Sequence, residues 1–238
     1  MTKQAWFGII KTIFKNKRIE SDKVFDIFDS LITPIATYAS TFWLPFIISK
    51  AGFNSIEKLM DTWGTLKAET LNQKCSRMFL SVHSKASRLA VLGDLGHYPL
   101  FINTLAQCLN YKLSLFKRQS STNLIGDVLT EMKAMSGDGR DCWLTRVENI
   151  EKLLKMPPNL KFSKFSGKNI TAIVKGKFDS FWLGKVNEFN SNNTDSLDHN
   201  KLRVYRQFKS SFSIEPYIKL VRNRNQRSSL SRLRISAH

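Results

Sequence analysis

The stretch INTLAQCLNYKLSLF, residues 102–116, contains the clearest helical pattern in the sequence. Its apolar side chains recur at intervals of three and four residues, at Ile102, Leu105, Ala106, Leu109, Leu113 and Phe116. That spacing places them on one face of an α-helix. Pro99 precedes the stretch, as is common just before a helix begins. The pattern therefore predicts an amphipathic helix that packs against other helices.

Similar apolar stripes recur along most of the chain, whereas the alternating patterns typical of strands are scarce. Two of these stripes consist of Ile56, Leu59, Met60 and Trp63 and of Leu71, Cys75, Met78 and Val82. We therefore predict an all-α fold. We expect a bundle-like helical unit over residues 1–118, a linker and helical hairpin over 119–167, and a more basic helical unit over 168–238.

The composition is that of a folded chain with a polyanionic partner. The 238 residues are 42% hydrophobic, which offers enough apolar surface for a core. The 37 Lys and Arg against 19 Asp and Glu give a net charge of +18, which favours nucleic acid before membrane lipid. Cys75, Cys108 and Cys142 are too widely spaced for a metal site, so we interpret them as reduced core cysteines of an intracellular protein, cytoplasmic or nuclear.

One stretch meets the length test for a membrane span. Ser30 to Ser49 has no charged residue, but it contains Pro34 and Pro45 and several Ser and Thr. A broken helix or hairpin buried in a core accounts for it better than a span, and we do not expect a membrane partner.

Positive charge is concentrated at the C-terminal end. Residues 201–238 hold ten Lys and Arg against a single acid, Glu215, although solvated protein surfaces usually mix both signs. A long helix is predicted here, with Leu202, Tyr205, Phe208 and Phe212 on its buried face before Pro216 ends it. We predict that this segment contacts nucleic acid through Lys201, Arg203, Arg206, Lys209, Arg222, Arg224, Arg227, Arg232 and Arg234.

The sequence offers no candidate for catalysis. The four histidines are isolated, and no set of carboxylates, His or Cys has a catalytic or metal-binding spacing. We therefore predict no enzymatic activity, no metal and no cofactor. Gly93-Asp-Leu-Gly96 matches the G-x-x-G loop of an RNA-binding module, but Asp94 would repel phosphate, so we interpret it as a turn between helices.

Three stretches together resemble non-LTR (LINE-type) retrotransposon polyproteins, in the part that follows the reverse-transcriptase palm. They are IFDSLITPIATYASTFW (Ile27 to Trp43), VHSKASRLAVLGDLGHYPL (Val82 to Leu100) and RLRISAH (Arg232 to His238). In the first stretch the family usually has Gly at Ala39 and Glu at Thr41. The third is similar to the point from which family members continue into a Cys/His zinc knuckle.

The resemblance implies a nucleic-acid-binding role without catalysis, because the family's polymerase and endonuclease residues have no counterpart here. The N-terminal helices would correspond to a thumb-like region and the basic C-terminal helices to an RNA-binding connector. We therefore expect a fragment of a reverse transcriptase that binds RNA or an RNA/DNA hybrid, with the rest of that enzyme as a further partner. A decayed element product, a helical protein-interaction scaffold and a membrane-associated protein remain as alternatives.

Overall fold

The structure, a computed structural model, describes residues 8, 21–53, 55–64, 66–118, 124–156, 167–188, 197–221 and 223–235. The predicted linker at 119–123 and Arg222 lie outside these residues. Within them the chain forms thirteen helices: α1 Ser21–Leu31, α2 Thr33–Ala36, α3 Ser40–Lys50, α4 Ile56–Trp63, α5 Lys67–Leu80, α6 Arg88–Leu95, α7 Leu100–Lys117, α8 Leu124–Gly137, α9 Trp143–Leu153, α10 Gly167–Asn187, α11 Leu197–Phe208, α12 Pro216–Leu220 and α13 Arg224–Ile235.

The prediction of an all-α fold is confirmed. In the part of the chain that the structure describes, the single element of β pairing is an isolated antiparallel bridge between Leu95 and Ile214. No helix among these residues is long and apolar enough to cross a membrane. The apolar stretch from Ser30 to Ser49 is divided among α1, α2 and α3, with Pro34 in the first turn of α2 and Pro45 inside α3. The predicted break is present, but Tyr38 and Phe42 on this stretch are exposed rather than buried.

The described residues pack into two compact units that are not consecutive along the chain. The first unit takes the described parts of Met1–Tyr38, Lys67–Leu100 and Asp179–His238; the second takes those of Ala39–Leu66 and Phe101–Phe178. Residues 1–118 and 168–238, which the sequence suggested as separate regions, each contribute to both units. Helical stripes are local in sequence, whereas the partner of each stripe is set by packing.

The second unit shows how the proline inside α3 is accommodated. Pro45 has no N–H, so the carbonyl of Thr41 one turn earlier loses its helical donor. The indole Nε1 of Trp143 donates to this carbonyl oxygen over 2.8 Å, and the Cys108 thiol donates to it over 3.7 Å. Both donors come from helices packed in the same unit, so the proline joins α3 to its neighbours instead of ending it.

The core of the first unit contains a cluster of Phe28, Ile32, Cys75 and Leu100. Beside it the carboxylate of Glu69 is buried, and it accepts hydrogen bonds from the Leu100 backbone N–H over 2.8 Å and from Asn72 Nδ2 over 3.1 Å. Burial raises the pKa of Glu69, although both hydrogen bonds and the charge of Arg88 act in the opposite direction. The ionised form of Glu69 is thus disfavoured by the fold.

Two of the three cysteines lie in the cores. Burial raises the pKa of Cys75 and of Cys108 to about 12, while Cys142 is half-buried just before α9. A thiol with a raised pKa is a weak nucleophile, so Cys75 and Cys108 behave as packing residues.

Close packing at Gly93 can be tested by adding one methyl group. A Cβ at Gly93 would lie 2.4 Å from the Trp182 ring and 2.6 Å from the Tyr205 hydroxyl oxygen. We expect Gly93→Ala to destabilise the protein by about 1–3 kcal/mol through overpacking. Gly184 in α10 has no heavy atom within 4 Å of such a Cβ. As the matched control, Gly184→Ala should stabilise by up to about 1 kcal/mol. Urea denaturation followed by circular dichroism measures both; equal effects at the two glycines would contradict the packing at Gly93.

The buried carboxylate predicts a pH dependence of stability. A folded-state pKa above the unfolded one means that the stabilising contribution of Glu69 is full at low pH and is lost as pH rises through the raised pKa. Glu69→Gln should remove this loss, since the amide oxygen can still accept from the Leu100 N–H. Asn72 can rotate its amide so that its Oδ1, which has no partner in the structure, accepts from the new NH₂.

We therefore expect Glu69→Gln to gain stability relative to the wild type as pH is raised from about 5 to 8. The measurement is the free energy of unfolding in urea at several pH values. A stability difference that stays constant with pH would show that Glu69 titrates normally.

Candidate nucleic-acid interface

The C-terminal helices that carry the predicted site are held in the first unit by their apolar side chains. Helices α11 and α12 both pack on α13, which itself packs on α5, while α12 also contacts α1. The buried side chains of the segment include Leu202, Tyr205, Ile218 and Ile235. The segment is therefore fixed in the core, and its exposed residues include the cations Lys219, Arg224 and Arg232.

A buried carboxylate, Asp94 near the end of α6, joins these helices. Its Oδ1 accepts a hydrogen bond from the Tyr205 hydroxyl over 3.0 Å, and its Oδ2 accepts one from the Tyr217 hydroxyl over 2.7 Å. The guanidinium of Arg234 approaches both carboxylate oxygens at 3.4 Å. Asp94 is fully buried, and burial raises its pKa against the effect of these three donors.

The two glycines around Asp94 allow this approach. Gly96 has φ +58°, and a Cβ there would lie 2.3 Å from the backbone nitrogen of Ile214. The neighbouring backbone is bonded as well, because the Glu215 N–H donates to the Asp94 carbonyl over 2.8 Å. Gly93 belongs to the last turn of α6 and Gly96 ends it, so G-x-x-G is here a packing site for Trp182, Tyr205 and residues 213–214.

Two of the predicted cations are used inside this network. Lys209 is buried and forms an ion pair of 2.5 Å with Glu215, while the guanidinium of Arg234 pairs with the other carboxylate oxygen of Glu215 over 2.9 Å. Burial of the guanidinium lowers the pKa of Arg234, but the charges of Asp94 and Glu215 outweigh it and raise the pKa. These two cations are matched by two carboxylates and add little net positive charge to the surface.

Arg227 is also turned inward. It is buried, its guanidinium lies 5.1 Å over the Phe79 ring, and its Nη1 donates to the Val221 carbonyl oxygen over 3.4 Å. Burial lowers the pKa of Arg227, and the charge of Arg224 lowers it further. Cation–π contact with Phe79 stabilises the charge in this position.

The remaining predicted cations differ in their placement. Arg224 and Arg232 on α13 are exposed, although Arg232 Nε also donates to the Ser81 carbonyl oxygen over 2.8 Å. Arg206 on α11 is half-buried, and Lys201 and Arg203 lie within the same helix. Arg222 is outside the described residues. Lys219 of α12 is an exposed cation, as Arg224 is, but it is not among the predicted site residues.

Helical spacing could have separated Arg232 from Arg227. Positions 227, 231 and 235 are four residues apart and share one helix face, and the structure buries Arg227, Ser231 and Ile235 together. Arg232 follows Ser231 by one residue, which turns it about 100° away from that face, whereas Arg224 is exposed because it is the first residue of α13. The sequence prediction grouped Arg222, Arg224, Arg227, Arg232 and Arg234 by charge alone, which hid this division.

A concave surface in the second unit also carries cations. This cavity of about 650 Å³ is lined by Glu57, Arg146, Lys152 and Lys155 together with uncharged polar and apolar residues, with no His or Cys among them. Arg146 is held by Asp141 through two hydrogen bonds of 2.6 and 2.8 Å. In the part of the chain that the structure describes, no group of three or more His, Cys, Asp or Glu side chains could hold a metal ion.

Comparison of this chain with known protein families, curated proteins and solved structures finds no match.

The division between internal and exposed arginines predicts opposite effects on stability. Arg234→Met would leave Asp94 buried without a cation, and breaking such a pair costs about 3 kcal/mol, at the low end of its range because the Arg234 side chain is 20% exposed. Arg224→Met on the exposed face should change stability by less than about 0.5 kcal/mol. Urea denaturation measures both, and equal small losses would contradict a structural role for Arg234.

Proposed function

We propose that this chain binds RNA or an RNA/DNA hybrid, mainly through phosphate contacts, and performs no catalysis. In this proposal it is a fragment of a non-LTR retrotransposon reverse transcriptase, lies in the region after the palm, and acts inside the cell together with the rest of that enzyme. The observation that carries the proposal is the arrangement of charge around the C-terminal helices. Glu215, the single acid of residues 201–238, is paired internally with Lys209 and Arg234, so it does not offset the exposed cations.

Phosphate chemistry explains why such a surface favours nucleic acid. Each cation placed on a phosphate releases a condensed counterion, which makes binding favourable and salt-dependent. Arginine also presents a planar fork that can donate two hydrogen bonds to one phosphate. Phosphate contacts carry no sequence information, so the proposal includes no base-specific recognition.

The exposed cations can be tested without disturbing the core. Deleting residues 201–238 would also remove buried side chains such as Tyr205 and Ile235, so substitution is the sharper experiment. In the triple variant Lys219→Gln, Arg224→Gln and Arg232→Gln, we expect weaker binding to a structured RNA. The plot of log affinity against log salt has a negative slope, and its magnitude should decrease by up to about 2, at roughly 0.7 per single-strand phosphate.

The matched control removes three positive charges from helices outside the C-terminal segment. Lys50, Lys58 and Lys67 are exposed lysines of other helices, and their triple Gln variant has the same net charge. A slope that falls equally in both variants would mean that binding follows total charge and that the C-terminal helices form no interface. Wild-type protein that shows no salt-dependent RNA binding would refute the proposed function itself and favour an interaction scaffold or a decayed product.

A further inference from the structure

Phe208, the last residue of α11, lies on the surface although its spacing predicts a buried position. Its side chain is 59% exposed, whereas Leu202 and Tyr205 of the same predicted stripe are buried. The predicted long helix is thus wrong in its extent. The fourth member of the stripe, Phe212, lies beyond the helix and packs against Tyr98 and Trp182, with ring centroids 4.8 and 5.4 Å away.

The end of α11 accounts for this exposure. Lys209, the next residue along the chain, turns inward to pair with Glu215, and Glu215 is held by the Asp94 carbonyl. Because α11 ends at Phe208, no following turn of the helix packs beside its ring. An aromatic ring remains at the surface of a segment rich in cations.

The ring of Phe208 is positioned by a fixed guanidinium. Arg234 lies over the Phe208 ring at 6.0 Å from its centroid and over the Tyr217 ring at 5.6 Å. Asp94 and Glu215 hold that guanidinium through ion pairs of 3.4 and 2.9 Å. A cation near one side of the ring orients it and leaves its exposed surface available to a ligand.

We propose that Phe208 is a stacking platform for an unpaired base of single-stranded RNA, and that the exposed side chains of Arg224, Arg232 and Lys219 contact the phosphates. This inference rests on the proposed function and adds a preference for single-stranded over duplex RNA. Every base offers a flat π face to an aromatic side chain, but in a duplex neighbouring base pairs cover both faces. Residues 201–238 hold ten cations and one acid, and this charge attracts the phosphates of a nucleic acid. A base is therefore a better candidate for the ring than the apolar side chain of a protein.

The test measures the affinity of three Phe208 variants for two RNA probes, an unpaired oligouridine and a blunt-ended RNA duplex. Phe208→Ala should weaken binding to oligouridine about 5- to 100-fold, the range for one stacked base. Phe208→Trp should retain the affinity, and Phe208→Leu should bind as weakly as Phe208→Ala. Duplex affinity should be the same in all three variants, because it depends on phosphate contacts.

The matched control is Leu220→Ala, which removes a 77% exposed apolar side chain from the same segment and should leave both affinities unchanged. Thermal unfolding of each variant checks that the fold is intact. If Phe208→Leu binds oligouridine as tightly as the wild type, the side chain serves only as an apolar contact, as it would for a protein partner, and stacking is refuted. If no Phe208 variant changes oligouridine affinity while the Gln variant of Lys219, Arg224 and Arg232 still weakens it, this inference fails and the proposed function stands.

Discussion

The carboxylate of Asp94 is the constraint on which the C-terminal part of the structure depends. A buried charge is stable only if several donors surround it, and Asp94 obtains them from Tyr205, Tyr217 and Arg234 on three different helices. Each donor must reach the same point at the end of α6, so the positions of α11, α12 and α13 are coupled to one another. The absence of side chains at Gly93 and Gly96 is what allows the approach.

The same network divides the cations into two groups with different roles. Arg234 and Lys209 neutralise Asp94 and Glu215 within the fold, and Arg227 is buried over Phe79. Arg224, Arg232 and Lys219 are exposed, and Glu215, the single acid of residues 201–238, is paired with Lys209 and Arg234. The internal pairs are thus close to neutral, and the positive charge of the surface comes from the other cations of the segment.

The sequence was sufficient for the fold class and insufficient for the pairing of elements. Stripes such as Leu105, Leu109 and Leu113 are local patterns, and the structure buries all three residues. The two non-consecutive units depend on which stripes meet, and that choice is made by side chains distant in sequence. The interpretation of Gly93–Gly96 as a turn captured its place at a helix end but not its role, since the residues that occupy the space come from positions 182–214.

The candidate site was predictable in its charge and not in its geometry. Charge asymmetry identified the segment, but a count of arginines cannot tell an exposed guanidinium from one held by a buried carboxylate. Phe208 shows the same limit for apolar residues, because periodicity assigns it to the core until the helix ends. An aromatic ring that remains exposed costs hydrophobic free energy, which burial in the core would have recovered. In the proposed function an unpaired base recovers this free energy by covering the ring, and such a base fits both the ring and the surrounding charge.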